Sequence, residues 1–227
     1  MSKKTDKKYK TSDNGFTLVE LIVVLLVLAV LAAVLIPALM GYIDKARESK
    51  YYINARSCMD ATQSELIELY GKNGSDLAED TPIISGGKTP TTKNGDCDIV
   101  GTTFAQKVLK LAEMDGSREP YCFMFAVGSN YKKNTDASMK KVSLHDKYTV
   151  FYAFYMETKD STPLYYYNGE WTKTNPRAIG TKEIFNEFNY VQSGMLKGKR
   201  LQYYLVSNKT GNGINTSDFW DWLKKMK

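Results

Sequence analysis

The 227-residue chain is 43% hydrophobic and 25% charged, with a formal charge of +6, enough for one folded core and one long apolar segment without a second globular domain. Residues 1–15 set Lys3, Lys4, Lys7, Lys8 and Lys10 against Asp6 and Asp13, so this short stretch supplies +3 of the +6 and the rest is only mildly basic. Lysines such as Lys224, Lys225 and Lys227 then read as a solvated face, with no nucleic acid expected as a direct partner. One histidine, His145, and three cysteines outside any C-x-x-C spacing argue against a metal cluster.

From Phe16 to Met40 the chain reads FTLVELIVVLLVLAVLAAVLIPALM, in which Thr17 and Glu20 are the only polar residues. From Leu21 onward about twenty uncharged residues, at about 1.5 Å each, span the roughly 30 Å of a bilayer core. The preceding lysines predict that residues 1–15 stay in the cytoplasm and that everything after Met40 is sent across the membrane. The apolar run is too long for the core of a secretory signal and continues into an amphipathic helix, so cleavage after it is not expected. Glu20 sits one turn inside this apolar helix, where a carboxylate costs about 3 kcal/mol unless it snorkels, protonates or meets a cation. Pro37 removes a backbone donor and Gly41 weakens the following turn, a pair expected to bend or locally melt the helix.

The junction Gly15-Phe16-Thr17-Leu18-Val19-Glu20 follows a short charged leader and opens an uninterrupted apolar helix, and in this it resembles the type IV prepilin motif. The resemblance implies a structural subunit of a type IV pilus or a related pseudopilus, whether major pilin, minor pilin or pseudopilin. It implies cleavage after Gly15 by a membrane-embedded prepilin peptidase acting from the cytoplasmic side, and N-methylation of Phe16 by the same enzyme. It further implies polymerisation with copies of itself or related pilins, driven by an assembly ATPase and platform protein. Glu20, at the fifth mature position, would attract the amino terminus of a neighbouring subunit, and Pro37 stands where the family also has a proline. The protein would pass from the cytoplasmic (inner) membrane, lodged in the lipid bilayer, to an extracellular pilus or pseudopilus. Two departures are visible: the leader ends Asp13-Asn14-Gly15 without a basic residue beside the glycine, and the C-terminal region lacks the cysteine pair of many pilins.

Beyond the span, residues 44–74 keep helical composition, with Ala55, Cys58 or Met59, Thr62, Leu66 and Leu69 on one face and Lys50, Arg56, Asp60, Glu65 and Glu68 opposite. A helix from Phe16 to about Tyr70 would measure roughly 80 Å. Residues 72–101, rich in Gly, Thr, Pro, Asp and Asn, read as a long surface connection. A second helix is predicted over 102–114, with Phe104, Val108 and Leu111 inward, joined by Ala105 and Ala112. Strands are predicted over 121–127, 148–156, 164–167, 170–172 and 201–207, with a tight hairpin at Asn168-Gly169 and a helix over 182–191. Residues 217–226 read as a short capped helix with Trp220 and Leu223 inward. Of the successive Tyr165, Tyr166 and Tyr167, strand alternation must turn at least one into the core, which favours packing over a sugar-stacking surface. Cys58, Cys97 and Cys122 allow three alternative pairings or none.

The expected fold is α+β: a long N-terminal helix, half membrane-spanning and half amphipathic, packed against an antiparallel β-sheet head. The boundaries are a cleaved leader at 1–15, a transmembrane and assembly helix at 16–40, its amphipathic continuation at 41–71, and a globular head at 72–227. No cofactor is expected. No G-x-S-x-G elbow, H-E-x-x-H pair or Walker loop occurs, so the chain is not read as an enzyme. The competing reading is a signal-anchored extracellular binding module that does not assemble, which would gain nothing from a buried Glu20 or from Gly15 placed before Phe16.

Overall fold

A computed structural model of the protein describes residues 15–73, 83–84, 97–128, 142–167, 169–176, 195–196, 199–213 and 217–226. The chain divides into two units, Met1–Glu48 and Ser49–Lys227. Helix α1, Leu18–Asn73, begins two residues later than expected and is assigned helical through Pro37 and Gly41. Pro37 brings no N–H, which leaves the Ala33 carbonyl without its helical donor. Every described side chain of the first unit is exposed.

In the second unit, the part of α1 beyond Glu48 buries Ala55, Cys58, Ala61, Thr62 and Leu66, the three- and four-residue spacing of one helical face. Three of these, Ala55, Cys58 and Ala61, are small. The hydroxyl of buried Thr62 donates to the Cys58 carbonyl at 2.7 Å, so no donor is stranded. Gln63 bonds at both ends of its amide: Nε2 donates to the Tyr148 carbonyl at 2.7 Å, and Oε1 accepts from the Val150 N–H at 3.1 Å. Arg56, Asp60 and Glu68 are exposed as expected. Glu65 departs from that pattern, its side chain only 13% exposed with Lys107 Nζ at 3.5 Å. Lys107 also reaches Glu68 at 3.3 Å. Hydrogen bonds from Lys72 and Lys107 hold the Glu68 carboxyl below the usual carboxylate range, and the same contacts raise Lys107. In solvent such pairs orient side chains more than they stabilise the fold.

Strand β1, Cys97–Asp98, precedes helix α2, Thr103–Leu111, whose N-cap Thr102 accepts from the Ala105 N–H at 3.3 Å. Phe104, Ala105, Val108 and Leu109 are buried, followed by Ala112 and Met114. Leu111, expected inward, is 56% exposed. At 100° per residue the buried arc runs from Phe104 through Val108, Ala112 and Ala105 to Leu109, and Leu111 falls just outside its Phe104 edge. The helix stops where Glu113 takes φ 57. Its N–H bonds to Lys110 O at 3.0 Å, and that of Met114 to Leu109 O at 2.7 Å. This pairing satisfies two terminal carbonyls and turns Met114 back into the core.

The remaining elements are β2 (Cys122–Gly128), α3 (Leu144–Lys147), β3 (Val150–Met156), β4 (Leu164–Tyr167), β5 (Glu170–Thr172), β6 (Met195–Leu196), β7 (Lys199–Asn208) and α4 (Ser217–Lys225). The sheet order is β1-β7-β2-β3-β4-β5, with β6 folded onto β7. Strands β2 to β5 form an antiparallel meander, β7 pairs antiparallel with β2, and β1 joins β7 in parallel. The short α3 and the parallel strand β1 are not among the expected elements. The predicted helix over 182–191 and most of the predicted connection lie outside the described residues. Of the described residues of the connection, Ile83, Ile84 and Ile99 are buried in the core, while Lys72, Val100 and Gly101 are exposed.

Strand alternation divides this core in two. Phe123, Phe125, Val127, Ala153, Tyr155, Tyr204 and Val206 face the residues of α1 and α2. Cys122, Met124, Ala126, Tyr152, Phe154, Tyr165, Tyr203 and Leu205 face the other way, toward Phe219, Trp220 and Leu223 of α4. A sheet whose two faces are both apolar needs a cover on each, which explains near-continuous hydrophobic runs such as CFMFAV and YAFYM. Tyr165 is fully buried, while Tyr166 and Tyr167 pack at opposite core clusters. The Tyr165 hydroxyl and the Asn175 amide donate to the Met226 carbonyl at 3.3 and 3.1 Å, tying down the C-terminal end.

Candidate functional site

Gly15, Phe16 and Thr17 lie outside the helix, and α1 starts at Leu18. The stop is made locally. Thr17 Oγ1 accepts from the Glu20 N–H at 3.3 Å, while Glu20 Oε2 accepts from the Thr17 N–H at 2.9 Å and from the Thr17 hydroxyl at 2.8 Å. Thr17 and Glu20 are therefore N-cap and third helical residue of a reciprocal capping box, which fixes where the helix begins. Among the described residues a Cβ built on Gly15 would meet nothing within 4 Å, and the bond between Gly15 and Phe16 lies outside the helix. Sequence patterning singles out Gly15, Phe16 and Glu20 but passes over Thr17. A signal for it is present, since Thr-x-x-Glu ahead of an apolar run is a helix-start pattern.

Beyond the box the helix exposes an unbroken apolar surface. Phe16 is 80% exposed, and large side chains from Leu18 to Met40 are 50–73% exposed. At about 25 cal/mol per Å² of apolar surface, leaving these seventeen side chains in water is prohibitive for a soluble monomer. By length and composition this helix can cross a membrane. A Cβ placed on Gly41 would likewise have no neighbour within 4 Å. The apolar surface then gives way to charge, with Asp44 and Arg47 4.0 Å apart.

Chemistry elsewhere is sparse. Among the described residues no three or more His, Cys, Asp or Glu side chains group as metal ligands would. Cys58 and Cys122 are free thiols buried in different core clusters, and burial pushes both upward, Cys58 to about 12 with a further contribution from Glu157. A cleft of about 370 Å³ is lined by Gln63, Ile67, Tyr70, His145, Tyr148 and Thr149. His145 Nδ1 is 3.4 Å from Thr149 Oγ1, whose hydroxyl donates to the His145 carbonyl at 2.9 Å.

Residues 10–36 match the model of the prokaryotic N-terminal methylation motif. Fimbrial protein Q of Moraxella bovis is 29% identical over 112 residues, which cover 47% of this chain and 71% of that protein. No solved structure matches the chain. A methylation motif set on an exposed apolar helix, likeness to a fimbrial protein, and a long helix followed by an antiparallel sheet together support the type IV pilin family for this chain.

Proposed function

We propose that the protein is synthesised as a precursor, cut after Gly15, N-methylated at Phe16 and polymerised through its N-terminal helix into a pilus or pseudopilus. The observation that carries this reading is the exposed apolar helix opening directly after a non-helical Gly15-Phe16-Thr17 segment within the methylation motif. A peptidase needs an extended, accessible bond, and glycine without a side chain admits the closest approach. Residues 1–15 are the cytoplasmic leader, 16–40 the span that holds the subunit in the inner membrane, 41–71 the amphipathic continuation, and 72–227 the extracytoplasmic head.

Polymerisation exchanges lipid for neighbouring copies around the same apolar surface, so van der Waals packing and one well-placed charge set register. Glu20 provides that charge, its carboxylate neutralising a subunit amino terminus where low dielectric strengthens the attraction. Pro37 and Gly41 let the helix bend or extend as subunits pack. The partners are the prepilin peptidase, further pilin copies, and an assembly ATPase with its platform protein.

Intact-mass analysis and N-terminal sequencing of membrane and sheared surface fractions test this reading against a Gly15→Val variant. The expected result is a mature chain beginning at methylated Phe16 in the sheared fraction, lost in the variant. Processed protein confined to the membrane assigns the chain to a pseudopilus. An uncut chain in the native membrane overturns the reading in favour of a signal-anchored binding module.

A further inference from the structure

We propose that the cleft between α1 and the link from α3 into β3 is a binding site for a phenol-class ligand, a single neutral aromatic ring that carries a hydroxyl group. Such a site stands on the geometry of the second unit alone and draws on nothing in the assembly reading above. The cleft holds about 370 Å³ and is lined by Gln63, Ile67, Tyr70, His145, Tyr148 and Thr149. Ligand pockets run from about 300 to 1,000 Å³, so this one suits one ring and not an oligosaccharide. None of the six lining residues is Asp, Glu, Lys or Arg, so no fixed charge selects an ion. The walls are aromatic and aliphatic instead. Tyr70 and Tyr148 meet edge to face, with ring centroids 5.3 Å apart and planes at 67°. Ile67 and Tyr70 stay 61% and 46% exposed, on a stretch of helix where Glu68 and Lys72 pair in solvent. A third ring laid against them takes apolar surface out of water and extends the edge-to-face arrangement.

Two unused hydrogen-bonding groups define what the ring must carry. Tyr148 is 4% exposed, and its hydroxyl is buried with no hydrogen-bond partner among the described residues. A stranded hydroxyl is costly, and an acceptor that enters beside the Tyr148 ring removes the cost. His145 supplies the complementary group. Thr149 has one hydroxyl hydrogen and gives it to the His145 carbonyl at 2.9 Å, so toward Nδ1, 3.4 Å away, its oxygen serves as acceptor. This hydrogen-bond arrangement assigns the proton of the neutral imidazole to Nδ1 and leaves a lone pair on Nε2. Gln63 contributes packing, because both ends of its amide are committed to the Tyr148 carbonyl and the Val150 N–H. The ligand therefore needs an acceptor for the Tyr148 hydroxyl and a donor for His145 Nε2, and a phenol oxygen is both at once. A ring without the hydroxyl leaves both groups unpaired. A carboxylate in its place brings no proton for Nε2 and gives up its hydration for an apolar cleft.

His145 is the only histidine of the chain, so its imidazole gives one unambiguous NMR signal in the full-length protein, labelled with nitrogen-15 histidine and held in detergent. Titration with 4-methylphenol is expected to shift that signal saturably at millimolar concentration. Toluene should bind about tenfold more weakly, the worth of the hydrogen bonds it cannot make. Ile67→Trp fills the cleft from an exposed helix position and should abolish saturation, which separates binding in the cleft from partition into the micelle. Tyr148→Phe removes a stranded hydroxyl, so its denaturation midpoint should equal or exceed that of the parent. It should bind 4-methylphenol about fivefold more weakly and toluene as the parent does. N-acetyltyrosinamide distinguishes the sources: saturable binding assigns the phenol to a tyrosine of a protein chain, and its exclusion while 4-methylphenol binds assigns it to a free phenol. Absence of saturation in the parent, or the same saturation in Ile67→Trp, overturns the site. Toluene binding as tightly as 4-methylphenol overturns the ligand class, as does a free protein at pH 8 whose imidazole carries its proton on Nε2.

Discussion

Gln63 shows how much of the fold can hang on one side chain. Its amide closes two hydrogen bonds to the backbone where the chain leaves α3 and enters β3, so removing it strands a carbonyl and an N–H together. Gln63→Ala is expected to lower stability by about 1–3 kcal/mol, measured as a shift of the denaturation midpoint of the full chain in detergent. Gln63→Glu keeps the acceptor for Val150 but sets a carboxylate against the Tyr148 carbonyl, and should also destabilise. The two buried thiols give a different signature. Burial raises Cys58 from 9.0 to about 12 and raises Cys122 as well, so the folded protein keeps protons that the unfolded chain releases above pH 9. Their contribution is full below pH 9 and is lost as the pH rises toward the folded values, at about 1.4 kcal/mol per pH unit for each thiol. Alkaline denaturation followed between pH 8 and 11 should show this fall, and Cys58→Ser with Cys122→Ala should flatten it. A thiol reagent at pH 8 should label both residues only after unfolding.

At the scale of elements, the sharpest constraint lies between β2 and α3. A Cβ on Gly128 would stand 2.6 Å from Val142 Cγ1 and 2.8 Å from the Asp146 carbonyl oxygen. Because one of these is backbone, Gly128→Ala must push α3 off the strand and is expected to cost about 1–3 kcal/mol. The helix is fixed from its own side by a capping box in which Ser143 and Asp146 bond reciprocally, so strain at Gly128 has little room to relax. A thermal melt checks the cost, and Gly128→Ala combined with Val142→Ala should recover only part of it, since the carbonyl contact remains. The elements differ in how far the sequence announces them. Helix α1 is legible because its apolar run and its stripe of Ala55, Cys58, Thr62 and Leu66 are local periodic signals, and the meander is legible from dense aromatic and β-branched runs. Strand β1 is two residues long and pairs in parallel with β7 more than a hundred positions later, a contact that no local pattern encodes. Ile83 and Ile84 are buried from within a stretch whose composition reads as a loop, because tertiary packing captures an isolated pair of side chains. At the candidate site, Gly15, Phe16 and Glu20 stand out as a linear motif. The part played by Thr17 emerges only from its hydrogen bonds.

For the molecule as a whole, the two units answer different physical demands. The first exposes apolar side chains along its helix, a surface that suits lipid or other apolar helices better than water. The second buries its apolar groups on both faces of one sheet, with α1 and α2 residues serving one face and α4 the other. Among the described residues that sheet ends in a short strand on either side: β1 at one margin has two residues, and β5 at the other has three. In the filament proposed above, heads would be crowded at high local concentration, the condition under which unpaired strand margins recruit one another into cross-β aggregates. Margins this short offer too few consecutive N–H and C=O groups to template a foreign strand, so crowding in such a fibre would not lead to amyloid-like fusion of neighbouring heads.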